Sequence, residues 1–355
     1  MFGLFASKGP FNVQLDDGTT SFKVNAGDNL LKAALAAGLA WPHNCRVGSC
    51  GTCRCRLVEG KIKPLSDFSY VLDETELDAG MILSCQTSLR SDVRVRVQLD
   101  GHEAYAPATT SGGNIDRMVG LTHDIVELGI QLDQPLPPYR AGQYAELSVP
   151  GIERPRSYSF ARAPHVEAPG HATFHVRRVP GGEMTEWLHA KDRTGTHVSL
   201  TGPHGSFHQR KAKGRMLCVA GGSGMAPIKA LLECAAGRGF DRDVLYLFGA
   251  RTRKDLYCTT EMALIAERSG GRFRFVPVLS HEPPDSGWDG ARGMVTQQLR
   301  QISQTDVPAD AYLCGPPPMI DAAITELKQL GLDPSRIYFD KFLDASHLPG
   351  GKRKP

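Results

Sequence analysis

The chain contains 355 residues, with 41 basic and 38 acidic side chains, a formal net charge of +3 and 41% hydrophobic residues. This length allows two to three folded domains, and the composition excludes a largely disordered chain. The nearly balanced charge gives no indication that nucleic acid or an anionic membrane is the main partner.

The chain carries no segment typical of export or membrane insertion. The first residues lack a basic stretch followed by a long apolar run. The most apolar stretch, residues 30–41, is interrupted by Lys32 and is too short to span a bilayer. Nine cysteines are an odd number in a long chain, which argues against a secreted disulfide scaffold. We therefore expect a cytoplasmic protein.

The first hundred residues predict a small α+β unit. Short strands are expected at 11–15 and 21–24, on either side of an Asp-Gly hairpin signal. A helix is expected to begin after the N-cap residue Asp28, because apolar residues follow it at helical spacing. Residues 93–99 alternate between apolar and polar side chains, which predicts a half-buried strand.

Residues 107–114 are small, polar and rich in glycine, which predicts a linker. One helix is expected beyond it, at 183–188. Short strands punctuated by Pro and Gly are expected at 118–122, 125–131, 143–149, 157–161, 173–179 and 197–201. Many short strands at close spacing indicate an antiparallel barrel of roughly a hundred residues.

After Lys213 the pattern changes to alternating strands and helices. Helices are expected at 226–236 and 319–330. Apolar strands are expected at 216–220, 244–248, 274–279, 311–314 and 336–339. This alternation indicates βαβ units and a parallel sheet.

Five of the nine cysteines lie between residues 45 and 85. The spacing of Cys45, Cys50, Cys53 and Cys85 is that of plant-type [2Fe–2S] ligands. Thiolates are soft anionic donors suited to iron, and the small residues between them let the loop fold tightly and direct N–H groups at sulfur. A zinc site, which usually shows two CxxC pairs, and a disulfide framework are less favoured alternatives. Cys55 is expected to be a small core residue.

Residues 45–53 resemble the cluster loop of plant-type ferredoxins, and the resemblance extends over about residues 10–100. It implies a β-grasp fold for this part of the chain. It also implies that the four spaced cysteines ligate a [2Fe–2S] cluster.

The segment Arg156-Ser157-Tyr158-Ser159 stands on an expected strand. It is similar to the R-x-Y-S signature of the ferredoxin–NADP reductase family. The resemblance implies that Arg156 neutralises the flavin pyrophosphate, that Tyr158 packs on the isoalloxazine and that Ser159 hydrogen-bonds near N5. Ser157 would lie within the same binding segment. The alternative is an exposed Arg/Tyr face on an edge strand.

Gly181 and Gly182 precede an expected helix whose first turn contains Met184 and Thr185. Glycines followed by a hydroxyl residue at a helix start can bind an anion through backbone N–H groups. The segment resembles the second pyrophosphate-binding segment of the same family, which implies that these four residues bind the flavin phosphates. An ordinary strand-to-helix turn is the alternative.

Residues 221–227 read GGSGMAP and lie between an expected strand and helix. The backbone of such a turn can hold a pyrophosphate. Pro227 stands where a G-x-G-x-x-G fingerprint would have its third glycine, so the segment does not match that fingerprint. It is similar to the GG-[ST]-G-x-[AG]-P segment of the reductase family, which implies that Gly222, Ser223, Gly224 and Pro227 bind the nicotinamide cofactor.

Two further segments match this family: Arg251 follows the next strand, and Cys314-Gly315-Pro316 follows the last buried strand. In the family this cysteine lies where the hydride leaves the nicotinamide. The resemblance therefore implies a catalytic role for Cys314 and cofactor contacts for Arg251, Gly315 and Pro316. A buried strand-end cysteine without such a role is the alternative.

Basic residues at 251, 253 and 254 could attract a 2′-phosphate, but similar stretches occur in NADH-using oxygenase reductases. We therefore expect NADH rather than NADPH. Relatives stack an aromatic residue near the C-terminus on the flavin. This implies that role for Phe339 or Phe342, with core packing as the alternative for both.

The order of these motifs resembles the reductase components of bacterial multicomponent oxygenases, over about residues 10–342. Examples are the phenol, toluene and methane monooxygenase systems and the benzoate-type dioxygenases. The resemblance implies a multidomain α+β and α/β protein. Its parts would be a β-grasp [2Fe–2S] ferredoxin domain at 1–106, an antiparallel β-barrel FAD domain at 107–210 and a parallel-sheet α/β nucleotide domain at 211–355.

Electron counting then leads to a function. NADH gives two electrons as one hydride, whereas an iron oxygenase accepts them singly, and a flavin followed by a cluster converts between the two. We expect electron transfer from NADH through FAD and the cluster to a terminal iron oxygenase, to which a monomer docks. The alternatives are a deoxysugar dehydratase as acceptor, a redox-sensing protein, or a zinc module fused to a flavoreductase.

Overall fold

The computed structural model describes residues 9–46, 48, 50–99, 107–303 and 307–342. The described chain divides near Pro107 into two compact units. Across those ranges no helix combines the length and the apolar character needed to cross a membrane.

The first unit is an α+β fold. Its helices are α1 (Leu30–Ala36) and α2 (Glu74–Asp78). Its strands are β1 (Phe11–Leu15), β2 (Ser21–Val24), β3 (Arg54–Glu59), β4 (Ile62–Pro64), β5 (Met81–Leu83), β6 (Thr87–Leu89) and β7 (Val93–Arg96). Five strands form one sheet in the order β2-β1-β7-β3-β5, and β4 pairs with β6. The β1–β7 pair is parallel and the others are antiparallel, as the β-grasp prediction requires.

Helix α1 is capped one residue later than predicted. The Asn29 side chain accepts a hydrogen bond from the Lys32 backbone N–H at 2.8 Å. The predicted cap, Asp28, instead pairs with the Lys32 ammonium at 2.7 Å. Both residue types can cap a helix, so the backbone conformation at Asn29 decides which one does. The helix packs Leu30 and Leu31 into the core of this unit.

The second unit begins with the predicted antiparallel barrel. Its strands are β8 (Thr109–Gly120), β9 (Ile125–Leu132), β10 (Tyr144–Ser148), β11 (Arg156–Ser159), β12 (His171–Arg177) and β13 (His197–His204), with α3 (Glu183–His189) between the last two. They pair antiparallel in the order β11-β10-β13-β8-β9-β12. A bridge between Phe160 and Phe174 brings the two outer strands together and closes the sheet.

The predicted linker at 107–114 is wrong, because most of it belongs to strand β8. Gly113 pairs with Val198 on one side and with Leu132 on the other. A Cβ atom on Gly113 would lie 2.6 Å from the carbonyl oxygen of Gln131. The glycine therefore permits close strand contact here, whereas in sequence it suggested a flexible connection.

The remainder of the second unit is a parallel α/β layer. Its strands are β14 (Met216–Gly221), β15 (Val244–Ala250), β16 (Phe273–Leu279), β17 (Ala291–Arg292), β18 (Asp310–Gly315) and β19 (Ile337–Lys341). Its helices are α4 (Met225–Gly237), α5 (Thr259–Arg268), α6 (Val295–Ser303) and α7 (Pro317–Gln329). Short 3-10 turns lie at Phe68–Tyr70, Ser84–Gln86, Gly222–Gly224, Arg253–Asp255 and Pro334–Arg336.

The strand order β17-β16-β15-β14-β18-β19 determines where a ligand can bind. Strand β14 lies between β15 and β18, and all three run in the same direction. Their carboxyl ends, at Gly221, Ala250 and Gly315, therefore meet at one edge. Open parallel sheets bind ligands at this edge, where the strand order reverses.

Because β8 packs so closely against its neighbours, a larger residue at Gly113 should destabilise the second unit. Gly113→Ala should lower the free energy of unfolding of the second unit by about 1–3 kcal/mol, because the added methyl group meets a backbone carbonyl that cannot rotate away. Gly120→Ala, at the exposed end of the same strand, is the control, since its Cβ would meet no atom within 4 Å. Urea unfolding of both variants tests this, and equal stability of the two would contradict it.

Candidate functional site

The four spaced cysteines lie together in the first unit. Cys50, Cys53 and Cys85 are buried and Cys45 is half-buried. The thiols of Cys45 and Cys50 are close enough to shift each other's pKa, as are those of Cys53 and Cys85. Charge on any of the other three also disfavours ionisation of Cys85. The structure thus brings four soft donors near one another, although among the described residues no three His, Cys, Asp or Glu side chains are arranged to hold a metal ion.

These contacts shift the acidity of the thiols in opposite directions. The neighbouring Cys45 thiol, together with burial, raises the pKa of Cys50 well above its usual range. The neighbouring Cys85 thiol lowers the pKa of Cys53, and Cys53 in turn raises the pKa of Cys85. Four neighbouring thiolates would repel one another, so the arrangement suits a bound metal centre that neutralises them.

The described residues of the loop follow a tight path near these sulfurs. Gly48 and Gly51 adopt positive φ angles of 80° and 74°. A Cβ on Gly48 would lie 2.5 Å from Cγ of Gln86. The Thr52 N–H points toward the Cys50 sulfur at 3.5 Å, the kind of contact that stabilises negative charge on a cluster. Ser49 lies outside the described residues.

Cys55 occupies the core position predicted for it. It is buried on β3, pairs in register with Ile82 and belongs to the apolar core of the unit. Burial raises the pKa of the Cys55 thiol. The Ser84 hydroxyl donates to the Cys53 carbonyl at 2.9 Å and fixes the turn that carries Cys85.

In the second unit, the predicted flavin segment is strand β11. Arg156 is half-buried, Ser157 is exposed, and Ser159 is buried opposite Tyr144 of β10. Tyr158 is half-buried near Phe174, with ring centroids 6.5 Å apart. Burial raises the pKa of Tyr158, so this phenol stays protonated.

The predicted phosphate-binding turn lies close to this strand. The Arg156 guanidinium is 3.9 Å from the Glu183 carboxylate at the start of α3. Gly181 has a positive φ of 74°, and Gly182 is the N-cap residue of α3. The structure therefore brings together the cationic residue and the turn that the sequence separates by some 25 positions.

Two predicted residues of this turn have their side chains directed inward. The Thr185 hydroxyl accepts from the Val179 N–H at 3.0 Å and lies 3.2 Å from the carbonyl oxygens of Val179 and Gly182. Met184 is buried in the barrel core. The exposed part of the turn is therefore its backbone, and both side chains support it from behind.

The glycine turn after β14 is packed against the end of β18. A Cβ on Gly224 would lie 2.2 Å from the carbonyl oxygen of Cys314, and one on Gly315 would lie 2.7 Å from the carbonyl oxygen of Gly221. Gly315 has a φ of 135°, which few other residues adopt. The structure thus joins the two predicted nicotinamide segments through direct backbone contact.

Side chains around this turn complete the arrangement. Ser223 is half-buried, and Pro227 is buried in the first turn of α4. The Tyr257 hydroxyl donates to the Gly222 carbonyl at 2.9 Å. Cys314 is fully buried, and that burial raises its pKa well above the usual range. Pro316 is half-buried and precedes helix α7.

The two competing C-terminal aromatic residues face opposite sides of the sheet. Phe339 packs into the core formed with α6 and α7, on the side of Leu313. Phe342 packs into the core that contains Cys314, and its N–H donates to the Gly315 carbonyl at 2.9 Å. Phe342 is therefore the aromatic residue beside the nicotinamide segment.

A cavity of about 500 Å³ lies beyond the end of β15. The side chains around it are largely basic, and they come from three separate loops: His123, Arg251, Thr252, Lys254, Asp255 and His281. The Asp255 carboxylate accepts from the Thr252 N–H at 2.8 Å and from its hydroxyl at 3.0 Å. His123 Nδ1 lies 3.3 Å from the same carboxylate.

Sequence reasoning identified Arg251 in this cavity but missed Asp255, His123 and His281. The signal for Asp255 was available, because an acidic residue after the second strand of a nucleotide-binding sheet can read the ribose hydroxyl. The two histidines come from loops far apart in sequence, so no local motif marks them.

Three protein-family matches cover the chain in order. Residues 13–90 match the 2Fe-2S iron-sulfur cluster binding domain, residues 113–209 the oxidoreductase FAD-binding domain and residues 218–325 the oxidoreductase NAD-binding domain. Each match lies on one of the three folded parts described above.

Whole-length relatives agree with these matches. The chain is 40% identical over 340 residues to the xylene/toluene monooxygenase electron transfer component of Pseudomonas putida, covering 96% of each chain. It is 33% identical over 344 residues to the phenol 2-monooxygenase reductase component of a Pseudomonas species, again covering 96% of each. The crystal structure of an Amycolatopsis cytochrome P450 reductase is similar, with a TM-score of 0.79 and 33% identity over 94% of this chain and 98% of that one.

Proposed function

Since the chain belongs to the family of oxygenase reductase components that combine 2Fe-2S, FAD-binding and NAD-binding domains, we propose that it carries electrons from NADH to a terminal iron oxygenase. The chain is an oxidoreductase of the electron-transfer type. One structural observation carries the proposal: a single chain holds both a group of four interacting thiols and a glycine turn packed against Cys314.

Cys45, Cys50, Cys53 and Cys85 would hold the cluster. Their spacing in the sequence, their mutual effect on thiol pKa and the close packing at Gly48 support this assignment. A flavin and a cluster bound by these segments would supply the conversion of a two-electron hydride donor into single-electron transfer.

The flavin would lie along β11 and the turn before α3. Arg156 would neutralise the pyrophosphate, while Tyr158 and Ser159 would lie at the ring system. Backbone N–H groups at Gly181 and Gly182 would bind phosphate oxygen, since that backbone is what the turn exposes. Met184 and Thr185 would act from behind, as the inward contacts of their side chains indicate.

The nicotinamide cofactor would lie on the carboxyl edge of the parallel sheet. Its pyrophosphate would meet the backbone of Gly222, Ser223 and Gly224, with Pro227 starting the helix behind them. Cys314, followed by Gly315 and Pro316, would lie beside the ring that gives up the hydride. The close backbone packing of the turn against Cys314 supports this placement.

We propose NADH as the electron donor, with Asp255 as the discriminating residue. Its carboxylate is held in the cavity by both the N–H and the hydroxyl of Thr252. A carboxylate there accepts a hydrogen bond from a ribose 2′-hydroxyl and repels a 2′-phosphate. Arg251 and Lys254 would then face the pyrophosphate side of the same cavity.

Other acceptors and roles are less well supported. A deoxysugar dehydratase as acceptor would use the same electron path, but the relatives named above serve oxygenases by name. A purely redox-sensing role leaves both nucleotide-binding segments without a purpose. We also propose domain limits at 1–106, 107–210 and 211–355, and the start of β8 at Thr109 supports the first of them.

The central test uses the purified full chain loaded with FAD and iron–sulfur cluster. NADH should reduce the flavin rapidly, and cytochrome c, as an artificial one-electron acceptor, should then be reduced. Dithionite should produce a rhombic electron paramagnetic resonance signal. A flavin that NADH leaves oxidised would rule the function out, and bound zinc without the signal would rule the cluster out.

Cysteine substitution tests the ligand assignment. Cys53→Ser should remove the cluster absorption and most of the bound iron, because a serine oxygen is a harder and weaker donor for iron than a thiolate. Cys55→Ser is the matched control, two residues away and equally buried, and should keep its iron. Iron and acid-labile sulfide are measured per chain, and equal losses in both variants would contradict the assignment.

The preference for NADH over NADPH tests the role proposed for Asp255. Asp255→Ser should raise the ratio of kcat/KM for NADPH to that for NADH by about tenfold, since it removes a charge that repels the 2′-phosphate. Asp285→Ser removes an exposed carboxylate from the same layer and should leave the ratio unchanged. An unchanged ratio for Asp255→Ser would remove this residue from the specificity argument.

Substitution can also show which of the two aromatic residues lies at the flavin. Phe342→Ala should alter the flavin absorption bands and slow flavin reduction by NADH. Phe339→Ala should mainly lower the free energy of unfolding, on the order of 3 kcal/mol, because its ring packs in the core on the other side of the sheet. Visible spectra and thermal unfolding of both variants test this, and spectral change confined to Phe339→Ala would reverse the assignment.

A further inference from the structure

We propose that Lys229 and Glu233 are positioning residues that lock the nucleotide-binding helix α4 to the flavin strand β11. The inference rests on the proposed function. The relative position of these two elements affects the reaction rate if a hydride passes between a nucleotide bound at one and a flavin bound at the other. Both residues lie within the match to the NAD-binding domain but outside the short cofactor-binding motifs identified from the sequence.

The two side chains form a buried ion pair one helical turn apart. Lys229 Nζ lies 2.6 Å from Glu233 Oε1, and the side chains are only 5% and 13% exposed. Each also binds the barrel directly. Lys229 Nζ donates to the carbonyl oxygen of Ala161 at 3.0 Å, and the Ala163 N–H donates to Glu233 Oε2 at 2.8 Å.

The positions of these contacts link the two cofactor segments. Ala161 lies two residues and Ala163 four residues after Ser159, the last residue of β11. Lys229 and Glu233 lie on the helix that begins directly after the glycine turn. The segment after β11 is itself anchored in the barrel, because the Ala161 N–H donates to the Thr173 carbonyl at 2.8 Å. The ion pair therefore joins a fixed part of the barrel to the helix of the nucleotide turn.

Stability alone does not account for this pair. Removing two charges from water is costly, and apolar side chains of similar volume often replace buried ion pairs without loss of stability. An apolar contact, however, tolerates small shifts along the helix axis. A hydrogen bond from a donor to one carbonyl, or from one N–H to an acceptor, weakens when the helix shifts. The pair therefore fixes the position of α4 along the barrel in a way that apolar packing does not.

Contacts near both ends of α4 show how closely the helix packs against the barrel. Before the helix, a Cβ on Gly222 would lie 3.2 Å from a guanidinium nitrogen of Arg177 on barrel strand β12. At its end, a Cβ on Gly237 would lie 2.5 Å from the ring of His165. The ion pair lies between these two contacts, so α4 contacts the barrel near both of its ends and along its middle.

The test removes both bonds without leaving a buried charge. Lys229→Met/Glu233→Leu keeps the side-chain volume and loses both hydrogen bonds to the barrel. Lys229→Arg is the conservative variant, since it retains a cation and a donor. Arg300→Met/Glu326→Leu is the matched control, because it deletes a partly exposed ion pair between α6 and α7.

Two measurements separate positioning from stability. In the full chain without added cofactor, amide hydrogen exchange of the peptide that contains residues 161–163 should become at least about tenfold faster in the double variant. In the FAD- and cluster-loaded chain, the limiting rate of flavin reduction by NADH should fall about tenfold to a hundredfold. The thermal midpoint should fall by a few degrees, because the buried Ala161 carbonyl and Ala163 N–H lose their partners. The FAD content and the NADH concentration for half-maximal rate should stay close to wild type. Lys229→Arg and the control should resemble wild type throughout.

The outcomes distinguish this inference from the proposed function. Wild-type exchange and a wild-type rate of flavin reduction in the double variant would overturn the positioning role. If NADH fails to reduce the wild-type chain, the proposed function fails, whereas the exchange measurement still reports on the pair. Should the double variant not fold, Lys229→Met/Glu233→Gln removes the Ala161 bond without leaving a buried carboxylate unpaired. A wild-type reduction rate in that variant would equally overturn the inference.

Discussion

No side chain fits where the turn after β14 crosses the end of β18. The backbone of Gly224 and the Cys314 carbonyl are so close that a Cβ would stand 2.2 Å from oxygen, and Gly315 meets Gly221 in the same way. This contact places the start of α4 directly over the carboxyl edge of the sheet. The direction of α4 then decides which barrel residues it meets, and so where the flavin strand must lie. The layout of the second unit depends on this glycine contact.

Features set by local pattern could be predicted from the sequence, whereas features set by distant contacts could not. Strands β1 and β2 were predicted with their observed limits, because their side-chain alternation and their burial agree. The glycine-rich start of β8 suggested a linker, since the carbonyl of Gln131 that requires Gly113 lies 18 residues further along the chain. Asn29 rather than Asp28 caps α1 because the backbone conformation, which residue type does not determine, selects between two suitable caps.

In the candidate sites, too, local sequence patterns could be predicted and contacts between distant residues could not. Three of the four cysteines share one loop, so their spacing alone indicates a cluster. The cavity near Arg251 draws His123 and His281 from loops that sequence reasoning had no cause to connect. The alternation of side chains shows which face of the sheet each of the two aromatic residues occupies, but only once β19 is known to pair with β18. That pairing puts Phe339 with Leu313 and leaves Phe342 on the side of Cys314.

The two units solve the problem of buried polar groups in different ways. In the second unit, Lys229 and Glu233 satisfy each other and two backbone groups, so the arrangement is complete within the protein. In the first unit, neighbouring thiols raise the pKa of Cys50 and Cys85, so four thiolates cannot coexist there without a compensating cation. If these cysteines ligate the proposed cluster, its binding would release protons from them, and the affinity for iron would rise with pH.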